Sequence, residues 1–106
     1  MSRIDQLREM LAQDPNDVFL RYALGMELKG LEEFDEALQL FRGLMSNEPP
    51  HVPSFFMAGQ SLVEAEQINE ARDVLRIGIE EARRQGDMHA AGEMSEFLTS
   101  LGTLGE

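Results

Sequence analysis

The chain has 106 residues, no cysteine and a hydrophobic content of 42%. That length suits one domain with its own core, and the absence of cysteine excludes a disulfide framework or a thiolate zinc site. Acidic residues outnumber basic ones, 20 against 9, for a net charge of -11, which argues against nucleic acid and against an anionic membrane surface as partners, because both need clustered cations.

The first predicted helix opens at Ser2-Arg3-Ile4-Asp5, which resembles a capping box. Ile4, Leu7, Met10 and Leu11 form its apolar stripe, and Asp14-Pro15 ends it. Met1 to Arg8 lacks the continuous apolar stretch of a signal peptide. No run of about 18 apolar residues follows anywhere, so a cytoplasmic protein is expected. Next come Leu20, Leu24 and Leu28, spaced as one face of a second helix that Gly30 can end. A third begins among Glu32, Glu33, Asp35 and Glu36, anions suited to a helix N-terminus. It continues through Ala37, Leu38, Phe41, Leu44 and Met45 until Pro49-Pro50 stops it. A fourth runs from about Val52 to Ala65 and a fifth from Ile68 to Arg84. Gly86-Asp87 supplies a break and an N-cap for the last helix, whose apolar positions are Met88, Ala91, Met94, Phe97, Leu98 and Leu101. Gly102 can close it, leaving Thr103 to Glu106 as a frayed tail. No strand pattern is visible.

Helices two to five repeat. At a separation of 34 residues Pro15 is matched by Pro49, Val18 by Val52, Gly25 by Gly59, Leu28 by Leu62, and Glu36-Ala37 by Glu70-Ala71. Tyr22 and Phe56, and Phe41 and Leu75, are similar pairs at the same separation. With Leu24-Gly25-x2-Leu28, Ala37-x3-Phe41 and Pro49, then Gly59-x2-Leu62 and Ala71-x3-Leu75, the chain resembles the tetratricopeptide-repeat (TPR) family. The resemblance implies an all-α fold of about six helices, a right-handed stack of antiparallel helix pairs. Residues 1–14 would form an N-terminal helix, 18–51 the first repeat, 52–85 the second and 87–101 a C-terminal capping helix, all in one domain. Leu7 and Pro15 keep the spacing of Phe41 and Pro49, so the first helix fits as half of a truncated repeat. Four positions depart from the pattern: Arg21 replaces a tryptophan, Arg83 a proline, and Leu44 and Gly78 an alanine.

Catalytic chemistry finds little support. His51 falls in a connection and is expected to be solvated. His89 and Glu93 lie four apart on a helix, too few donors for a metal. Glu32-Glu33, Glu64 with Glu66, and Glu80-Glu81 read as solvated faces. Met10, Met45 and Met94 read as core filling. No phosphate loop, nucleophile elbow or HExxH helix is present. The expectation is a non-enzyme without metal or cofactor.

The resemblance further implies a concave face built by the first helix of each repeat. Its positions are Phe19, Tyr22, Met26 and Lys29, then Pro53, Phe56, Gln60 and Val63, with Met57 beside them. Tyr22, Met26 and Met57 stand where a carboxylate clamp for acidic chaperone tails needs Lys, Asn and Arg, so an apolar peptide or helix of a partner protein is expected instead. Lys29 and Arg21 are expected to add a rim contact to an acidic partner. The alternative is a face covered by the terminal helices or by a second copy, giving a homodimer.

Overall fold

The computed structural model describes residues 1–104, which form six helices: α1 (Arg3–Gln13), α2 (Val18–Gly30), α3 (Phe34–Met45), α4 (Val52–Glu64), α5 (Ile68–Arg84) and α6 (Met88–Leu101). Of the expected tail, Gly105 and Glu106 lie outside the described residues. Local chemistry sets three of the starts. Ser2 Oγ accepts from Asp5 N at 3.1 Å, Asp17 Oδ1 from Leu20 N at 2.8 Å, and Asp87 Oδ1 from Ala90 N at 3.0 Å. Each bond satisfies a donor that has no partner inside its helix.

Three ends are built alike. Backbone N–H groups of Glu33, Gln67 and Asp87 reach back to the carbonyls of Leu28, Leu62 and Ala82 at 2.8–2.9 Å. In this closure the residue before each donor takes a left-handed backbone. That residue is Glu32 (φ 61°), Glu66 (φ 63°) and Gly86 (φ 80°). Gly30 is therefore not what ends α2. The chain runs two residues further and turns on a glutamate, and the second repeat turns on a glutamate at the same place.

Each helix packs mainly on its neighbours in sequence. Beyond these, α2 approaches α4 and α4 approaches α6, whereas α1, α3 and α5 do not approach one another to the same degree. The stack therefore curves toward α2, α4 and α6, which line its inner side. On the outer side, long arginines bridge the gaps: Arg8 pairs with Glu36 at 3.0 Å and Arg42 with Glu70 at 3.1 Å. Both partners of the second pair stand 34 residues after those of the first. This repetition gives α1 the place that α3 holds, that of the second helix of a repeat.

The core lies between the two helix rows. Phe41, Leu44, Leu62, Leu75 and Met94 are fully buried, and Leu7 joins them. Gly25 and Gly59 admit the large residues of the facing helix: a Cβ on Gly25 would stand 2.7 Å from Phe41 Cε1, and one on Gly59 2.7 Å from Leu75 Cδ2. Met10 departs from its expected role. It is 53% exposed, because α1 packs on α2 alone and so needs only a narrow stripe. Met88, at the start of α6, is also exposed.

Two polar groups of α5 are buried and tie the stack together. Arg72 donates to Asn69 Oδ1 at 2.8 Å, to the carbonyl of Gly102 at 3.0 Å and to that of Leu104. A cation is thus fixed at the C-terminal end of α6, where helix carbonyls lack partners. Glu81, expected on a wet face, is buried instead. It accepts from Gln85 Nε2 at 2.9 Å and from Arg84, while Gln85 also donates to the carbonyl of Pro50 at 2.9 Å. The end of α5 is thereby anchored to the connection preceding α4.

Candidate functional site

The inner side of the curve carries a groove of about 340 Å³. One wall is Tyr22 from α2 with Val52, Pro53, Phe56 and Met57 from α4. The other is Ala90 and Met94 from α6, with Asp87, His89 and Glu93 at its lip. The groove continues along α6 as a shallower depression, where Phe56 is joined by Phe97, Glu93, Glu96 and Ser100.

Tyr22 sits where three elements meet. Its ring packs edge-on against His51 at 4.9 Å between centroids and lies 6.0 Å from buried Phe41. This half-burial pushes the phenol pKa up. His51 is not a solvated loop residue: it is half-buried, and its Nδ1 lies 2.8 Å from Ser54 Oγ. Burial first, and the charge of Arg21 second, lower its pKa. Phe56 packs against Phe97 of α6 at 5.6 Å between centroids.

The expected face divides. Tyr22, Phe56 and Met57 come together in the groove. Gln60 and Val63 are half-buried, further along α4, and do not line it. Phe19 and Met26 are 70% and 40% exposed on α2, also outside the lining. Lys29 lies outside the lining, and its Nζ pairs with Glu64 at 3.3 Å. Arg21 turns away across Gly43 and reaches Asn47 Oδ1 at 3.3 Å. The contact to an acidic partner assigned to these two residues therefore has no support in the geometry.

The second wall is what the repeat pattern missed. Phe55, Ala58 and Leu62 of α4 have counterparts Ala91, Met94 and Leu98 in α6, 36 residues later and not 34. Helix α5 is five residues longer than α3, and the connection after it is three shorter, so α6 starts two residues late. Read at that separation, α6 is the first helix of a third unit. It packs on α5 as α4 packs on α3, and it lines the groove as well as ending the stack.

Both titrating groups act against acid. His51 has a folded pKa below its unfolded value of about 6.5. Protonation therefore favours unfolding, and stability declines as pH falls below that value. The folded pKa of Glu81 is lowered, first by the bond from Gln85 and also by Arg84. Its contribution is present above the unfolded value of about 4.3 and is lost as pH falls through the folded one. Thermal melts from pH 7 to pH 3 should show the midpoint fall in two stages. His51→Gln should flatten the upper stage and Glu81→Gln the lower. An unchanged profile in both variants would refute the assignment.

Fold and groove together define a TPR-like helical stack. Among curated proteins, the chain is 26% identical over 98 residues to the TPR repeat-containing protein PA0015 of Pseudomonas aeruginosa, covering 92% of this chain and 93% of that one. Among solved structures, it is similar to the solution structure of protein BPP2914 from Bordetella parapertussis, with TM-score 0.83, 28% identity and coverage of 95% of this chain and 88% of the other. No family model matches the sequence. The likeness points to a protein-interaction module, on a fold that typically carries no catalysis. No helix among the described residues is long and apolar enough to cross a membrane.

Proposed function

We propose that the protein is a cytoplasmic, non-enzymatic module that binds a peptide or helix of a partner protein in the groove between α2, α4 and α6. One observation carries this reading. Tyr22, Phe56 and Met57, from two successive repeats, present apolar surface to one groove, and no residue of α1 lies in its lining. Apolar surface gathered in a concavity, with polar groups at its edge, is the usual form of a binding site. Binding of this kind requires no cofactor or metal. Its net charge of -11 disfavours nucleic acid and anionic membrane as ligands. A second copy of the chain, giving a homodimer, is the other occupant a test must separate.

The test uses Tyr22→Glu with Phe56→Glu, and separately Pro53→Trp. The double variant puts two charges into the groove. Both side chains are half-buried, so a loss of helical circular dichroism is a possible outcome for it. Pro53 is exposed on the groove wall, and an indole there obstructs the groove without opening the core. Both variants should lose binding of a peptide taken up by the native protein, and Pro53→Trp should keep the native helical signal. If Pro53→Trp stays folded and binds unchanged, the groove is not the site.

A further inference from the structure

The chemistry of the groove's occupant can be taken further, on the reading that the groove binds protein. The α4 wall is apolar, whereas the lip on α6 is acidic: Glu93 borders both the groove and its continuation, and Glu96 borders the continuation. No lysine or arginine lines either part. Of the cations nearest to it in sequence, Arg21 is engaged with Asn47, Arg84 with Glu81 and Lys29 with Glu64, while Arg83 is exposed outside both linings. The only basic group at the lip is His89, which is exposed and lies 3.4 Å from Glu93. The negative potential there is thus not cancelled locally, and a low-dielectric wall beside it strengthens the field felt by a bound cation.

We propose that the groove takes a segment of a partner protein in which apolar side chains are flanked by lysine or arginine. The apolar side chains pack on Tyr22, Phe56 and Met57, and the cations face Glu93 and Glu96. An acidic segment is rejected by the same carboxylates. This is specificity by an attractive and a repulsive element at one lip.

The sequence supplies its own probe. Tyr22 is the single tyrosine and there is no tryptophan, so intrinsic fluorescence reports from the groove wall. Three short amphipathic peptides without aromatic residues share a leucine face and carry lysine, glutamine or glutamate elsewhere. Calorimetry gives their affinities, and Tyr22 emission shows whether they occupy the groove. The lysine peptide should bind about tenfold tighter than the glutamine peptide in dilute buffer and lose most of that advantage in about 1 M salt, while the glutamate peptide should bind weakest. Glu93→Gln with Glu96→Gln should remove most of the advantage. Glu33→Gln with Glu80→Gln, which makes the same change in net charge on exposed residues outside the groove lining, should preserve it. If both pairs reduce it equally, the attraction belongs to the whole acidic surface and the proposal fails. If lysine and glutamine peptides bind equally and both shift Tyr22 emission, the groove stands and its cation preference falls. If no peptide shifts Tyr22 emission, the groove reading itself fails. If emission and solution mass change with protein concentration alone, the occupant is a second copy, and the proposal is overturned.

Discussion

Phe41→Ala is expected to destabilise the fold by about 3–5 kcal/mol, the usual cost of emptying a buried aromatic site. Phe41 has no exposed surface. Its ring fills the space that Gly25 leaves on α2, with Cε1 only 2.7 Å from where a Cβ would stand. Gly25 has no side chain to move into the vacancy, so the cavity should persist and the cost fall toward the upper part of that range. For a domain of this size the loss corresponds to a fall of roughly 15–30 °C in melting temperature. The damage should also reach the groove. Phe41 backs Tyr22 at 6.0 Å between centroids, so at temperatures where the variant is still folded its Tyr22 emission should differ from the native protein's. Phe41→Leu copies the second repeat, where Leu75 faces Gly59, and should cost clearly less. Equal melting temperatures for Phe41→Ala and the native protein would show that the packing between α2 and α3 is wrongly described.

Gly78→Ala is expected to destabilise by up to about 2 kcal/mol, although alanine is the better helix former. A Cβ on Gly78 would stand 2.5 Å from Phe55 Cβ and 2.7 Å from Met94 Sδ. The Met94 sulfur can move. Phe55 Cβ is bound directly to the α4 backbone, so the helices must part. Overpacking of this kind costs roughly 1–3 kcal/mol, against a propensity gain of about 1 kcal/mol. The displaced elements are α4 and α6, the two walls of the groove, so peptide affinity should fall with stability. Gly92→Ala is the control. Gly92 is exposed inside α6 with nothing within 4 Å of an added Cβ, and the change should stabilise by about 0.5–1 kcal/mol. Opposite shifts in melting temperature are therefore expected from one chemical change. A rise in both would refute the close approach at Gly78.

Gly78 also shows how this chain departs from the family pattern without losing its packing. In the first repeat, fully buried Leu44 holds the place of Gly78, and Arg21 holds that of Phe55, its guanidinium carried away to Asn47. The large Leu44 is accommodated because Arg21 lies across the neighbouring Gly43 instead. Each repeat keeps a workable interior, and substituting one member alone should be costly.

Much of this was legible from the residues. The spacing of Leu20, Leu24 and Leu28, the stop at Pro49-Pro50 and the N-cap at Asp87 depend on chemistry within a few residues, so the helices could be read off directly. The repetition of Gly25 and Phe41 as Gly59 and Leu75 located the close approaches as well, since a glycine facing a large residue implies them. What the sequence could not settle was whatever depends on the position of α6. Its start slips by two residues because α5 is longer than α3, and a search at one fixed separation does not see a slipped unit. The second wall of the groove and its acidic lip at Glu93 and Glu96 appear only once the helices are packed. The same holds for Lys29 and Glu81. A charged side chain looks solvated in a sequence, and only the tertiary structure decides whether Glu64 stands near enough to neutralise it or Gln85 and Arg84 stand near enough to hold it buried.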